Sequence, residues 1–134
     1  MADESPAKPK PVHWVAGARE DLRKLPTEVT REIGFALWMA QMGDKHRAAK
    51  PLRGFKGAGV LEIVEDHAGD TYRAVYTVRF ARAIYVLHVF QKKSKTGIKT
   101  PKHELDLVNS RLKWAKEDYE EWLKEIENES DTAD

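Results

Sequence analysis

The 134-residue sequence contains no cysteine, which excludes a disulfide scaffold, a thiolate zinc site and a cysteine nucleophile. It also lacks the glycine-rich nucleotide-binding motifs, the HExxH zinc motif and the GxSxG hydrolase motif. The five histidines are scattered and form no metal-ligand pair, so we expect neither a metal nor another cofactor. No apolar run approaches the roughly 18–20 residues of a membrane span, so we expect a cytoplasmic protein that contacts no membrane.

What the sequence does contain is enough apolar mass for one domain. Hydrophobic residues make up 41% of the chain, including four Trp, four Tyr and four Phe. Residues 1–11 hold three prolines and little apolar mass, which predicts a disordered leader. Residues 117–134 hold nine acidic residues and one lysine, which predicts an acidic helical extension. The domain between them, 12–116, therefore carries a strong positive charge, which favours polyanionic partners.

The apolar periodicity predicts an α+β fold with helices segregated from an antiparallel sheet. Short separators between the three central strands make them a meander. A loop fills the interval 44–59, and a Thr-Pro pair begins a long C-terminal helix whose apolar seam runs to Ile126. In chain order the predicted elements are a strand at 12–15, a helix at 17–25, a helix at 26–43, strands at 60–66, 71–80 and 84–92, and the helix from 101.

Cations concentrate on the predicted sheet and the loop after it. Period-two alternation places Arg73 and Arg79 together on one outward face of the middle strand. Such a surface fits a phosphate backbone. Arg73 could instead form a surface ion pair with an acidic neighbour such as Glu62, and the lysine-rich segment 92–99 could simply be a solvated loop. Their expected neighbours are Arg53, Lys56, Lys92, Lys93, Lys95 and Lys99.

One histidine and four tryptophans have two interpretations each. His88 lies inside an apolar strand, where a satisfied structural histidine is the commoner case and acid–base chemistry the alternative. Trp14, Trp38, Trp114 and Trp122 are expected to pack in the core rather than to stack on bases.

Several strings together resemble the phage-related branch of the RelE/HigB-like toxins of type II toxin–antitoxin systems. They are KPLRGF at 50–55, LEI at 61–63, YRAVY at 72–76, YVLHVFQKKSKTG at 85–97, and then Thr100-Pro101 and Glu104. The resemblance covers roughly Val12 to Lys116. Relatives often carry an arginine where this sequence has Val64, and the acidic extension lies outside the resemblance.

The resemblance implies a RelE-like fold, ribosome-dependent cleavage of mRNA in the A site, and neutralisation by a helix-turn-helix antitoxin. In that reaction the RNA 2′-hydroxyl attacks the adjacent phosphate, so the protein needs neither metal nor nucleophile. We assign Arg73 to the scissile phosphate and Lys92 and Lys93 to stabilising the transition state. Flanking RNA would be held by Lys95, Lys99, Arg53, Lys56 and Arg79. The general base stays open among Tyr85, His88 and a lysine.

Two other functions remain open at this point. A toxin of the same fold can act without catalysis by binding a protein such as gyrase, as the ParE-like branch does. A phage-derived accessory protein can bind nucleic acid without cleaving it, with strong salt dependence as its sign. A further hypothesis is that the acidic extension folds back and shields the basic face.

Overall fold

The computed structural model describes residues 8–55, 57, 59–92 and 100–132, with the side chains of 130–132 excepted. The predictions for residues 1–7, Lys56, Lys93, Lys95 and Lys99 therefore lie outside the described residues. The elements are β1 (Val12–Trp14), α1 (Ala18–Arg23), α2 (Thr27–Gln41), β2 (Ala49–Pro51), β3 (Val60–His67), β4 (Asp70–Thr77), β5 (Ile84–Lys92) and α3 (Lys102–Thr132).

The strands form one five-stranded sheet in the order β1-β5-β4-β3-β2. β2 to β5 are antiparallel neighbours, and β1 lies parallel to β5 at the other edge. The α+β class, the central meander, the two N-terminal helices and the long C-terminal helix are thus confirmed. The predicted 44–59 loop is wrong in part, because it contains β2, an edge strand of three residues that ends at Pro51.

Helices cover both faces of the sheet, so the core has two layers. On one face, α1 and α2 bury apolar side chains such as Leu22, Ile33 and Leu37 against the strands. On the other face, α3 buries Val108, Leu112 and Ala115. A residue on either face of β4 is consequently covered, which explains why six consecutive residues of that strand are buried.

The middle strand is shorter than its sequence pattern predicts. β4 ends at Thr77 rather than at residue 80, because its backbone turns there to meet the turn before β3. Val78 N–H donates to the Gly59 carbonyl at 2.9 Å, and the Thr77 hydroxyl donates to the same oxygen at 3.0 Å. Arg79 therefore lies beyond the strand, and its predicted place on the outward face of β4 is wrong.

Helix α3 is longer than the sheet beneath it. Its 31 residues span about 46 Å at 1.5 Å per residue. It runs antiparallel to β5, since Glu104 meets His88 near the end of the strand and Asp118 meets Tyr85 near its beginning. Beyond Trp122 the helix continues as exposed or half-exposed residues. Among the described residues, no helix is long and apolar enough to cross a membrane.

Candidate functional site

Arg73 is buried at the centre of the sheet rather than displayed on its surface. Only 3% of the side chain is exposed, and its Nη1 donates to Glu62 Oε2 at 2.8 Å. Thr100, just before α3, lies against the pair, with its hydroxyl 3.3 Å from both atoms. The predicted outward position of Arg73 is wrong because α3 covers that face, and the alternative pairing with Glu62 is the one observed.

A bulge in β5 turns His88 toward the same face as Arg73. Val75 pairs with His88 and Tyr76 with Val86, which leaves Leu87 as an extra residue. One inserted residue reverses the side-chain alternation along a strand. Both Leu87 and His88 consequently approach α3, where a regular strand would have sent one of them to the α2 side.

Both ring nitrogens of His88 are engaged by α3. Nε2 bonds Glu104 Oε2, and Nδ1 lies 3.2 Å from Nη1 of Arg111, which also donates to the Leu87 carbonyl at 2.9 Å. Because a guanidinium can only donate, Nδ1 accepts and Nε2 carries the proton. Burial lowers the pKa of His88 despite the opposing bond to Glu104, so the ring is neutral at pH 7.

Lys92 lies on the same face, two residues beyond Phe90, which stacks on the His88 ring at 4.6 Å. Phe90 is the register partner of Arg73, so Lys92 is its diagonal cross-strand neighbour, a separation of roughly 7–8 Å between backbones. The lysine side chain is buried, with 8% exposed, and it interacts with another group of the protein. The structure thus places three predicted residues, Arg73, His88 and Lys92, on one face of the sheet, and α3 contacts that face at His88.

Other predicted positions lie elsewhere. Arg53 is exposed in the connection between β2 and β3, and Arg79 is exposed beyond β4. Tyr85 is buried near the start of β5 and faces the middle of α3, where its hydroxyl donates to Asp118 at 2.7 Å. Burial and this bond raise the pKa of Tyr85 far above neutrality, which makes it unsuitable as a general base.

Sequence reasoning missed the helical half of this cluster. Arg111 was not singled out, and Glu104 was noted only as part of a motif. Their spacing of seven residues puts both on one face of a helix, two turns apart, and this was the available signal. Within the described ranges, no three histidine or carboxylate side chains are arranged to hold a metal ion. The chemistry that the cluster offers is proton transfer and stabilisation of anions.

The comparisons with known proteins give one family match. The family model "Phage derived protein Gp49-like (DUF891)" matches residues 20–113. A mutant of the Escherichia coli toxin RelE in the free state is similar in structure, with 22% identity, a TM-score of 0.49, and coverage of 64% of this chain and 86% of that one. The Mycobacterium tuberculosis toxin–antitoxin complex RelBE2 is also similar in structure, with 24% identity and a TM-score of 0.45. The match covers 63% of this chain and 100% of that one. No curated protein matches the chain.

Proposed function

Because the chain belongs to the phage-derived Gp49-like family, we propose that it is the toxin of a type II toxin–antitoxin system and cleaves mRNA on the ribosome. The observation that carries the proposal is that Arg73, Lys92 and His88 share one face of the sheet, on adjacent strands β4 and β5. A cation and a neutral imidazole are the groups that 2′-hydroxyl attack on a phosphate needs. The partners would be mRNA, the ribosome and a helix-turn-helix antitoxin.

In the proposed reaction His88 is the general base. Its ring is neutral at pH 7, and Glu104 fixes the tautomer in which Nδ1 is free of a proton. Nδ1 takes the proton of the 2′-hydroxyl once Arg111 turns from it to the phosphate. The 2′-oxygen then bonds to phosphorus as the bond to the 5′-oxygen breaks. The leaving 5′-oxygen takes a proton from solvent, to which His88 later releases its own, so the products are a cyclic phosphate and a free 5′-hydroxyl.

Arg73 and Lys92 would stabilise the charge that develops on the phosphate, and the same role is proposed for Lys93. Arg73 is 3% exposed and its Nη1 contacts the Thr100 hydroxyl, so the proposal requires Thr100 to move when RNA binds. The Glu62 carboxylate would hold the guanidinium in place during that movement. We propose contacts to flanking RNA for two exposed arginines, Arg53 and Arg79. The same role is proposed for Lys56, Lys95 and Lys99, which lie outside the described residues.

The test is cleavage of mRNA on programmed ribosomes, with mapped 5′ ends. We expect His88→Gln, which preserves a donor to Glu104, to lower the cleavage rate at least about 100-fold, as loss of a general base does. Arg73→Lys should lower it as well. The control is Arg82→Ala, an exposed cation before β5, which should cleave at the wild-type rate while all variants keep the wild-type melting curve. Undiminished cleavage by His88→Gln would show that the assigned base is wrong.

A second candidate is a toxin that acts without catalysis. It is favoured by the bonds that already hold Arg73 to Glu62 and His88 to Glu104 and Arg111. Such a protein would arrest growth and inhibit a target such as gyrase while leaving mRNA intact. Salt-sensitive RNA binding with neither cleavage nor growth arrest would instead indicate a nucleic-acid-binding accessory protein.

A further inference from the structure

Two aromatic side chains are exposed on α2, on the sheet face opposite the candidate site. Phe35 is 49% and Trp38 is 52% exposed, and their rings stack on each other with centroids 6.2 Å apart. Tryptophan was expected to pack in the core. Trp14 and Trp122 do pack there, but Trp38 and Trp114 do not. Tryptophan is one of the residue types enriched among the residues that contribute most to binding at protein interfaces.

Gly34 lies beside this aromatic pair and has no internal reason to be glycine. It is exposed in the middle of α2, and a Cβ added there would meet nothing within 4 Å. Glycine at an internal helix position costs about 1 kcal/mol relative to alanine. The missing side chain leaves a shallow notch next to Phe35, which allows the backbone of another chain to approach closely.

The aromatic pair adjoins a pocket of strongly acidic character. The pocket, about 210 Å³, is lined by Glu28, Val29, Glu32, Glu65, Asp66 and His67. His46 joins the two features, because its ring meets the edge of Phe35 at 5.6 Å and its Nε2 bonds Glu32 at 2.7 Å. Burial, and after it the nearby Glu32, raises the pKa of Glu65.

We propose that this aromatic–acidic surface (Phe35, Trp38 and the carboxylates of the pocket) binds a segment of the antitoxin that carries an apolar side chain beside an arginine or lysine. The apolar side chain would lie on Phe35 and Trp38, and the cation would enter the pocket. The carboxylates exclude a phosphate backbone from this surface and select a positively charged segment. The identity of the partner rests on the proposed function, whereas the required chemistry of the segment comes from the surface itself.

This docking site would leave the proposed catalytic face uncovered. Phe35 and Trp38 belong to the α2 side of the sheet, whereas Arg73, His88 and Lys92 lie beneath α3. An antitoxin bound only here would therefore anchor to the toxin without filling its active site. Neutralisation would require a second segment of the antitoxin, or a block of ribosome entry by its bulk.

The experiment measures the affinity of the full chain for the helix-turn-helix antitoxin that the proposed function expects in a neighbouring reading frame. Trp38→Ser should weaken binding about tenfold or more, the effect of losing an aromatic anchor. The matched control is Trp114→Ser, because Trp114 is 50% exposed on α3. It should bind as the wild type does.

A charge-reversal pair tests the pocket. Glu28→Lys should weaken binding, and Glu121→Lys should not, because the two side chains are 77% and 71% exposed but only Glu28 lines the pocket. Reversing one cation of the antitoxin segment to glutamate should restore binding to Glu28→Lys. Wild-type affinity in Trp38→Ser and Glu28→Lys would overturn the surface assignment. Cleavage by a chain that no neighbouring protein binds would overturn it too, while leaving the nuclease intact.

Discussion

At the scale of single residues, the ion pair of Arg73 and Glu62 determines how the candidate site is built. The side chains are 3% and 8% exposed and meet at 2.8 Å. Removing one partner from a buried pair leaves an uncompensated charge, which costs about 3–5 kcal/mol. Replacing both Arg73 and Glu62 by apolar residues can recover the stability that is lost when only one of them is removed. The ion pair is therefore evidence that the guanidinium is held in position, and not evidence of a net gain in stability.

We therefore expect Glu62→Ala to lower the free energy of unfolding by about 3–5 kcal/mol in urea titrations. The double variant Glu62→Leu/Arg73→Met should lie closer to the wild type than Glu62→Ala does. Additive losses in the double variant would contradict a mutually compensating pair. Of these two variants, the double one should abolish cleavage without a large loss of stability, whereas Glu62→Ala should lose both.

His88 gives a pH dependence whose sign follows from its lowered pKa. The unfolded chain binds a proton below about pH 6.5, whereas the folded ring resists it, so stability is full above that pH and falls as the pH drops. Urea unfolding of the wild type between pH 7.5 and 5.5 should show this loss. The His88→Gln variant should lose less unfolding free energy over this pH range than the wild type does. The difference should be at most about 1.4 kcal/mol per pH unit. An unchanged slope in the variant would contradict a histidine buried neutral.

At the scale of secondary-structure elements, two glycines give opposite predictions. Gly59, in the turn before β3, has φ +64°, and a Cβ there would lie 3.1 Å from the Arg79 backbone nitrogen. Gly34, within α2, has open space around it. One position requires glycine for the turn and the other does not.

Gly59→Ala should therefore lower the unfolding free energy by more than about 1 kcal/mol, because the left-handed backbone and the close contact both oppose a side chain. Gly34→Ala should raise it by about 1 kcal/mol through helix propensity alone. Thermal unfolding of the two variants side by side checks both signs. Destabilisation by Gly34→Ala would reveal an internal packing role at that position.

At the scale of the whole molecule, the charges are segregated along one helix. α3 places Glu104 and Arg111 at the candidate site and carries its acidic half past the other end of β5. The hypothesis that this extension folds back over the basic face is wrong for the described residues. Tyr119 stacks on Phe80 at 4.7 Å, and Trp122 meets His13 at 4.8 Å, so the helix is anchored well beyond Lys116.

Truncation separates the anchored part of α3 from the projecting part. Ending the chain after Leu123 should change the unfolding free energy by less than about 1 kcal/mol, because few contacts are lost. Ending it after Lys116 should cost more than about 3 kcal/mol, since two packed aromatic side chains are removed. Equal effects of the two truncations in urea titrations would show that the helix is not anchored at Tyr119 and Trp122.

The sequence by itself determined the α+β class, every element except the edge strand β2, and the phage-related family, which the match over residues 20–113 confirms. Periodicity and turn residues are local properties, and the motif strings YRAVY and YVLHVF fall on β4 and β5. The same motif strings and the strand alternation identified Arg73, His88 and Lys92 as candidate site residues. The roles of these three residues stay predictions. Alternation along an isolated strand was sufficient to place Arg73 and Val75 on a shared face.

Only the tertiary structure decided what that face contacts. A strand pattern does not reveal that a helix thirty residues later covers it, so Arg73 was expected in solvent and lies beneath α3. The bulge at Leu87, the engagement of His88 by Glu104 and Arg111, and the exposure of Trp38 depend equally on distant contacts. Burial and ion pairing depend on residues that are close in space but distant in sequence, and these contacts form only when the helices pack against the sheet.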